Sequence, residues 1–173
     1  MKRLKEYLVK IVDNRGKNPN YKNIAKYPVI DNVLIKNTLY PDLNSVNRYI
    51  DEDTYQKFLR GYVHKNMPIM TLVGNGIGNV TLSPSNDVAI VQNTIGFETN
   101  EFCNEIYLYY YFINSQEMIK SFDRGSGQPS IKKTDILDME VDFPNVKIQK
   151  LVADFLYKID WKIELNNKIN KNL

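Results

Sequence analysis

The chain has 173 residues, of which 43% are hydrophobic and one is a cysteine, and its formal net charge is +3. This length favours one globular domain with a single core plus an appendage, and the single cysteine excludes an internal disulfide framework and favours a reducing compartment. No apolar run reaches the roughly 18 residues that span a bilayer, and the first twelve residues lack the apolar core of a secretory signal. The sequence therefore predicts a cytoplasmic protein.

Charge is distributed unevenly along the sequence. Residues 1–50 carry ten Lys or Arg against four Asp or Glu, whereas residues 66–119 carry five acids and no Lys or Arg. A basic first third and a second basic group around residues 120–133 could form one phosphate-binding face, as in nucleic-acid binding. Solvated surface accounts for many charge runs equally well, so charge alone leaves this as one hypothesis.

The first part of the chain alternates short apolar segments with loops. Residues 4–12 predict a strand or a short helix, and a polar loop rich in Asn, Gly and Pro follows at 13–22. Residues 27–35, with Pro28 near their start, predict a strand. Asp51 is a predicted N-cap of a helix that carries Tyr55, Phe58 and Leu59 on one face and ends at Gly61.

The centre of the chain predicts a hairpin followed by a buried helix. Residues 69–73 and 88–91 are apolar strands, separated by the glycine-rich segment 74–79 and a Ser-Pro turn. Residues 104–122 predict a helix that is apolar on nearly every side between 107 and 113. We therefore expect the tyrosines at 109–111 to lie mostly in the core, with one ring free to meet a ligand.

The last part of the chain carries the clearest pattern. A glycine turn at 125–131 leads into a strand-like segment at 136–143, which Pro144 ends. A helix is predicted from 145 to 173, and its apolar stripe steps by 4, 3, 4 and 4 through Ile148, Val152, Phe155, Ile159 and Ile163. Because this helix is long and charged on its other side, we expect it to pair with a helix in trans rather than fold back. The predicted domains are thus 1–144 and the helix 145–173.

The sequence predicts no self-sufficient active site. In residues 74–78 the third glycine comes one residue early for a dinucleotide loop, and Pro84 stands where a helix should begin. The Asn-Pro-Asn-Tyr run at 18–21 is one residue from the loop that holds the target base in adenine amino-methyltransferases, but a plain Asn-Pro turn explains it. His64 and Cys103 lie in separate segments without a nucleophile motif.

An acidic group leaves a second class of function open. Asp138, Glu140 and Asp142 alternate on the predicted strand, so they would share one side and could bind a divalent metal. The solvent face of a half-buried strand predicts the same pattern. A cryptic metal-dependent nuclease is therefore an alternative, and a protein-interaction module without DNA binding is another.

Five motifs follow one another along the chain. They are Leu-Val-Lys-Ile-Val at 8–12 with Gly-Lys-Asn-Pro at 16–19; Tyr-Pro-Val-Ile at 27–30; Pro-Ile-Met-Thr-Leu-Val at 68–73 with the glycines at 74–78; Gly-Gln-Pro-Ser-Ile at 127–131 with the segment 136–144; and Gln149 with Ile159-Asp160. Together they resemble the target-recognition domain of the specificity subunit of type I restriction-modification enzymes. Departures are Met67-Pro68, where that family has Gly-Asp, and Ile148, where it has Glu.

The resemblance implies an α+β fold, in which a compact mixed β-sheet domain with a few helices precedes a long C-terminal helix. It implies a non-catalytic DNA reader of a restriction system, which recognises one half of a bipartite target and directs methyltransferase and restriction subunits to it. Family members carry two recognition domains held apart by paired, coiled-coil helices. This chain is therefore expected to be a half-subunit that forms a homodimer, or a fragment. S-adenosylmethionine is expected on the partner methyltransferase, with no cofactor or metal in this chain.

Two kinds of DNA contact follow from the resemblance, namely cations on phosphates and loop side chains on base edges. The residues expected at phosphates are Lys17, Lys22, Lys36, Arg124, Lys132 and Lys133. The residues expected at base edges are Asn18, Asn20, Tyr21, Asn75, Asn79 and Gln128.

Overall fold

The structure, a computed structural model, describes residues 1–171. In this range short strands and a few helices form a domain, and one long helix follows it. The strands are β1 (Lys2–Arg3), β2 (Leu8–Val12), β3 (Tyr27–Ile30), β4 (Tyr49–Ile50), β5 (Pro68–Thr71), β6 (Val80–Leu82), β7 (Ala89–Ile90), β8 (Thr94–Thr99) and β9 (Glu140–Val141). The α-helices are α1 (Glu52–Phe58), α2 (Glu105–Asn114), α3 (Gln116–Ser121), α4 (Lys133–Leu137) and α5 (Val146–Lys171). The α+β prediction is confirmed.

A four-stranded antiparallel sheet, in the order β2-β8-β5-β6, forms the centre of the domain. One face packs on α2, where the Phe97 and Phe112 rings lie 5.0 Å apart. The other face, which includes Ile69, packs on Ile30 and Ile90 of a second sheet. Because both faces are covered, every residue of β5 is buried, including Thr71, and its sequence does not alternate between apolar and polar residues.

Two smaller sheets complete the domain. The first has the order β4-β3-β7, in which β3 pairs with β4 antiparallel and with β7 parallel. The second pairs β1 with β9 and so joins the start of the chain to the segment that precedes α5. Residues 4–12 contain both predicted conformations, since a 3-10 helix at Leu4–Tyr7 precedes β2.

The predicted central hairpin has the wrong second strand. Strand β5 turns back into β6, not into residues 88–91, and its other neighbour is β8. The chain reverses early because Gly74, Gly76 and Gly78 all have positive φ, between 76° and 90°, which only glycine adopts without strain. The Gly78 N–H then donates to the Thr71 carbonyl at 2.8 Å, which closes the turn. Residues 89–90 form β7 in the other sheet.

The predicted strand at 136–143 is also wrong for most of its length. Residues 133–137 form α4, in which Ile136 is fully buried, and only Glu140–Val141 pair as a strand. Asp138 ends α4, and its carboxylate lies 3.1 Å from Arg3 and 2.8 Å from Lys5. The three acids therefore do not alternate on one strand, and the pKa of Asp138 is held below its usual value, chiefly by Lys5.

Three other predicted elements are shorter than expected. The predicted helix 104–122 breaks at Ser115, whose N–H donates to both the Tyr111 and the Phe112 carbonyls in a tightened turn. Strand β3 stops at Ile30, because the Asp31 carboxylate caps a 3-10 helix at Asn32–Leu34. Helix α1 begins after the predicted N-cap, Asp51, but ends at Phe58, three residues before Gly61.

The long helix α5 begins at Val146, where Asn145 Oδ1 accepts the Ile148 N–H at 3.1 Å. It lies along α2, and it buries Gln149 and Ala153 there. The predicted end of the helix at 172–173 lies outside the described residues. None of the helices within residues 1–171 has the length and apolarity that a membrane crossing requires.

Candidate nucleic-acid interface

Three segments meet at one end of the central sheet and form what we call the loop cluster: residues 31–37, 74–79 and 124–131. The Gly74 N–H donates to the Pro129 carbonyl at 2.8 Å, and the Ile131 N–H donates to the Leu72 carbonyl at 2.8 Å. A Cβ added to Gly74 would lie 3.3 Å from Asn32 Nδ2 and 3.6 Å from Gln128 Nε2. The backbone therefore brings side-chain amides from separate parts of the sequence together.

The predicted base-reading amides of the loop cluster differ in their freedom. Gln128 and Asn75 are exposed, and among the described residues neither side-chain amide has a hydrogen-bond partner. Asn79 donates to the Ile35 carbonyl at 3.1 Å and accepts from Asn37 Nδ2 at 3.2 Å. Gln128 and Asn75 are thus available to a ligand, whereas both ends of the Asn79 amide already hold the loops together.

The glycine turn is rigid because its backbone is pinned from within. Asp123 Oδ1 accepts the N–H groups of Gly125 and Ser130 at 2.9 and 2.8 Å, which keeps the pKa of that carboxyl below its usual value. A Cβ at Gly125 would come within 1.8 Å of the Gln128 carbonyl oxygen, so only glycine fits. Arg124 is exposed and pairs with Asp135 at 2.9 Å. The turn therefore presents Gln128 at a defined position.

The second group of predicted residues lies in the loop 13–22, which a buried asparagine anchors. Asn14 is fully buried, and its Nδ2 donates to the Gly61 and Ile90 carbonyls at 3.0 and 2.9 Å. Its Oδ1 accepts the N–H groups of Arg60 and Gly61 at 2.8 and 3.2 Å. All hydrogen-bonding positions of this amide are therefore used, and they fix the loop to the segment after α1.

Most predicted residues of the loop 13–22 already have partners. The Lys17 ammonium lies 4.6 Å from the centre of the Phe58 ring, and the Arg48 guanidinium lies 5.2 Å from that of Tyr21. Lys22 Nζ lies 2.6 Å from Asp51 Oδ2 and holds the pKa of that carboxyl well below its usual range. Asn18 and Asn20, by contrast, are exposed, so they are the side chains that this loop offers to a ligand.

One ion pair joins the loop 13–22 to the first residue of α4, which follows the glycine turn. Lys133 Nζ lies 2.8 Å from Asp13 Oδ2, and Arg15 binds the same carboxylate at 2.9 Å. Hydrogen bonds from Arg15 first and from Lys133 second hold the pKa of Asp13 well below its usual range. Among the predicted phosphate contacts within residues 1–171, Lys36 and Lys132 are the exposed lysines without such a partner.

Four polar residues that no sequence pattern marked as functional hold these loops in place. Each makes hydrogen bonds within a loop or between two loops, and they are Asn14, Asn32, Asn37 and Asp123. A signal existed only for Asp123, since an acid two residues before a glycine is typical of a turn. The sequence carries no such signal for the three asparagines, because it does not distinguish a buried amide from an exposed one.

Cys103 and His64, the side chains considered for nucleophilic catalysis, have different surroundings. Cys103 is buried, and burial raises the pKa of its thiol to about 12, so the thiol stays protonated at neutral pH. His64 Nε2 lies 2.9 Å from both carboxylate oxygens of Glu105. Within residues 1–171, no three His, Cys, Asp or Glu side chains are grouped so that they could hold a metal ion.

The predicted partner stripe of α5 points away from the domain. Its five side chains are each between 39% and 65% exposed, and they are Ile148, Val152, Phe155, Ile159 and Ile163. A row of large apolar side chains along one helix is typical of a surface that another helix covers.

Comparison with known proteins gives a family and a fold. The family model described as the type I restriction modification DNA specificity domain matches residues 1–173. The S subunit of a type I restriction-modification system from M. genitalium has a TM-score of 0.70 at 17% identity, with 99% of this chain and 42% of that chain covered. A chain from a study of complex assembly and conformational transition of the type I R-M system has a TM-score of 0.68 at 13% identity, with 98% and 40% covered.

The HsdS subunit from Thermoanaerobacter tengcongensis has a TM-score of 0.65 at 11% identity, with 96% of this chain and 38% of that chain covered. A search of curated proteins gave no significant match. The chain thus spans about 40% of the length of these solved chains. At these sequence identities the structural likeness shows the fold alone. The assignment to a family rests on the family model, which matches the whole chain.

Proposed function

The chain belongs to the type I restriction-modification DNA specificity domain family, and from this premise we propose that it reads one half of a bipartite DNA target. The observation that carries the proposal is the loop cluster, in which the free amides of Gln128 and Asn75 lie in adjoining loops with unpaired Lys36 and Lys132 nearby in sequence. Amides that can read bases and cations that can bind phosphates are the two components of a sequence-specific DNA interface.

The proposed contacts divide by chemistry. Gln128 and Asn75 can each form a bidentate pair with the N6 and N7 edge of adenine in the major groove. Asn18 and Asn20 offer the same chemistry from the loop 13–22, which the Asp13–Lys133 ion pair connects to the start of α4. Lys36 and Lys132 bind phosphates and set the register of the domain on the duplex.

The chemistry of modification and cleavage is proposed to lie on other subunits. This chain would direct methyltransferase and restriction subunits to the target, and the methyltransferase would bring S-adenosylmethionine. The type I R-M systems among its structural neighbours support that assembly. The chain itself is proposed to be non-catalytic.

The second half of the target requires a second reader. We propose that the exposed stripe of α5 pairs with the same helix of a second copy, or with the matching helix of the other half of a longer subunit. The coverage of about 40% of the solved chains supports this, since two such units fill most of one subunit. In either arrangement the paired helices would separate two reading surfaces.

Gln128→Ala and Asn20→Ala test the reading loops. Each should weaken binding to the preferred sequence by about 10- to 100-fold, because a good bidentate amide–base pair contributes about 1–3 kcal/mol of discrimination. The preferred sequence is found by selection from a randomised duplex library, and affinity is then measured by fluorescence anisotropy. Ser126→Ala and Asn23→Ala are matched controls, because both residues are exposed and lie within three residues of the tested ones. Unchanged affinity and preference in both tested variants would contradict these contacts.

Two adjacent lysines test the phosphate contact. Lys132→Ala should lower affinity for all sequences alike and reduce the slope of log affinity against log salt by about 1, since one phosphate contact is lost. Lys133→Ala should reduce the slope less, because Asp13 already neutralises that ammonium. Anisotropy titrations between low and moderate salt measure both slopes. A changed sequence preference in Lys132→Ala, or a larger slope change in Lys133→Ala, would contradict these roles.

A further inference from the structure

Helix α5 is held on the domain by one row of residues, which lies roughly 120° around the helix from the apolar stripe at 100° per residue. Gln149 and Ala153 of this row are fully buried, and the others are half-buried. The row consists of Gln149, Ala153, Tyr157, Asp160 and Glu164. Apart from Ala153 its members are polar, whereas the exposed stripe is apolar. The helix thus uses its less hydrophobic side to dock on its own domain.

The start of α5 is fixed by one buried amide. Gln149 Oε1 accepts the Asn104 N–H at 2.9 Å. Gln149 Nε2 donates to the Phe102 carbonyl at 3.0 Å and to the Pro144 carbonyl at 2.8 Å. This side chain therefore joins the first turn of α5 to the N-terminus of α2 and to the proline that precedes α5.

The middle of α5 is fixed by hydrogen bonds among Tyr40, Tyr110, Tyr157 and Asp160, which we call the arm clasp. Tyr110 donates to Asp160 Oδ2 at 2.8 Å, and the hydroxyls of Tyr157 and Tyr40 lie 2.9 Å apart. Tyr40 donates its own proton to Asn66 Oδ1 at 2.6 Å, so Tyr157 is the donor to Tyr40. Burial raises the pKa of both Tyr40 and Tyr110, so these donors keep their protons at any physiological pH.

These contacts restrict both the tilt and the rotation of the helix. Hydrogen bonds are directional, whereas apolar contacts tolerate sliding. Hydrogen bonds hold α5 from Gln149 to Glu164, whose Oε1 accepts the Tyr40 N–H at 3.4 Å. This pinned length is about 22 Å, and from Gln149 to Lys171 the helix extends about 33 Å, at 1.5 Å per residue. A tilt of only about 6° would move the far end sideways by about 3.4 Å, and it would turn the loop cluster by the same angle relative to the partner helix.

We propose that the arm clasp, formed by Tyr40, Tyr110, Tyr157 and Asp160, sets the separation of the two half-sites that the assembled reader accepts. The inference rests on the proposed function, in which two domains joined through their helices read a bipartite target. The clasp residues are positioning residues, since the hydrogen bonds they make join α5 to its own domain. Their role is to fix the angle at which the stripe of α5 meets its partner, and hence the distance between the two loop clusters.

The first test measures the helix angle without DNA. Nitroxides at Glu140→Cys and Asn166→Cys, in a Cys103→Ala background and diluted with unlabelled protein, report the distance from the domain to the far part of α5 by pulsed electron resonance. The double variant Tyr110→Phe/Tyr157→Phe should broaden the distance distribution. Tyr111→Phe is the matched control, because Tyr111 is a half-buried tyrosine of the same helix whose hydroxyl has no hydrogen bond among the described residues. A distribution as narrow as that of the unmodified chain would overturn the clasp.

The second test measures the spacing directly. In a selection from a randomised duplex library, the unmodified chain should enrich paired half-sites at one separation. The double variant should enrich the same half-sites, but at shifted separations about tenfold more often than the unmodified chain does. Two ordinary hydrogen bonds contribute a free energy that corresponds to about this factor. Asp160→Asn, which still accepts from Tyr110, should keep the single separation. Circular dichroism confirms that each variant is folded.

The outcomes separate the two ideas. If the double variant keeps one separation, the spacing role is wrong although the reader is correct. If its half-site sequences change instead, the clasp acts on the reading loops and the proposal is wrong. If the unmodified chain enriches no paired half-sites, the proposed function fails and the spacing role fails with it, while the nitroxide distances still report whether the clasp holds the helix.

Discussion

Ile159→Asp is expected to abolish pairing of α5 while leaving the domain folded. Ile159 is 42% exposed on the side of the helix that faces away from the domain, so the substitution removes little packing within the chain. In a paired helix the same position would be covered, and an unpartnered carboxylate would lose its hydration there. We expect association to weaken by at least about 100-fold, which corresponds to about 3 kcal/mol.

Sedimentation equilibrium measures this association, and copurification with methyltransferase subunits measures assembly. Lys158→Asp is the matched control, because it introduces the same side chain at the adjacent exposed position, outside the stripe. It should fold and associate as the unmodified chain does. An Ile159→Asp protein that unfolds would show that the stripe belongs to the core of the domain, and one that still associates would show that the partner binds elsewhere.

The helix itself was predictable from sequence, but its docking side was not. Pro144 and the apolar steps from Ile148 to Ile163 stand out against charged neighbours, so the helix and its stripe could be identified. Gln149 and Asp160, which hold it on the domain, are polar and show no period that marks burial. Their role depends on partners in α2 and its N-terminus, more than 40 residues earlier in the chain.

The strands of the central sheet were also only partly predictable from the sequence. Strand β5 was predicted from its apolar residues, whereas β8, which pairs with both β2 and β5, was missed. Gly96 interrupts β8 in the sequence and suggests a break. In the fold, a Cβ at Gly96 would lie 2.9 Å from the Met67 sulfur and 3.1 Å from Val63, so close packing favours glycine there. Pairing between distant segments decides such cases, and local composition does not record it.

The candidate interface was predictable as a set of residue types but not as an arrangement. Gln128, Asn18 and Asn20 are exposed, as a reading role requires. Asn79 and Lys133, of equally suitable types, are engaged in contacts between loops. Sequence can identify which side chains have the right chemistry, but the fold decides which of them are free.

Asn14→Ala is expected to be the most destabilising substitution in the reading loops. The Asn14 amide makes four hydrogen bonds to backbone groups of Arg60, Gly61 and Ile90, and it is fully buried. Alanine would leave the buried Ile90 carbonyl and the part-buried groups of Arg60 and Gly61 without these partners, at a cost of about 3 kcal/mol in the free energy of unfolding. For a domain of this size that corresponds to a fall in Tm of roughly 6–12 °C.

Denaturant unfolding and differential scanning calorimetry measure this loss, and Asn20→Ala in the same loop is the control. Because Asn20 is exposed, its alanine variant should keep the stability of the unmodified chain while losing affinity for DNA. Asn14→Ala should lose both, since the loop 13–22 carries Asn18 and Asn20 and is anchored to the segment after α1 by this amide. Equal stability of the two variants would show that the loop is held by other contacts, of which the Asp13–Lys133 ion pair is the first to examine.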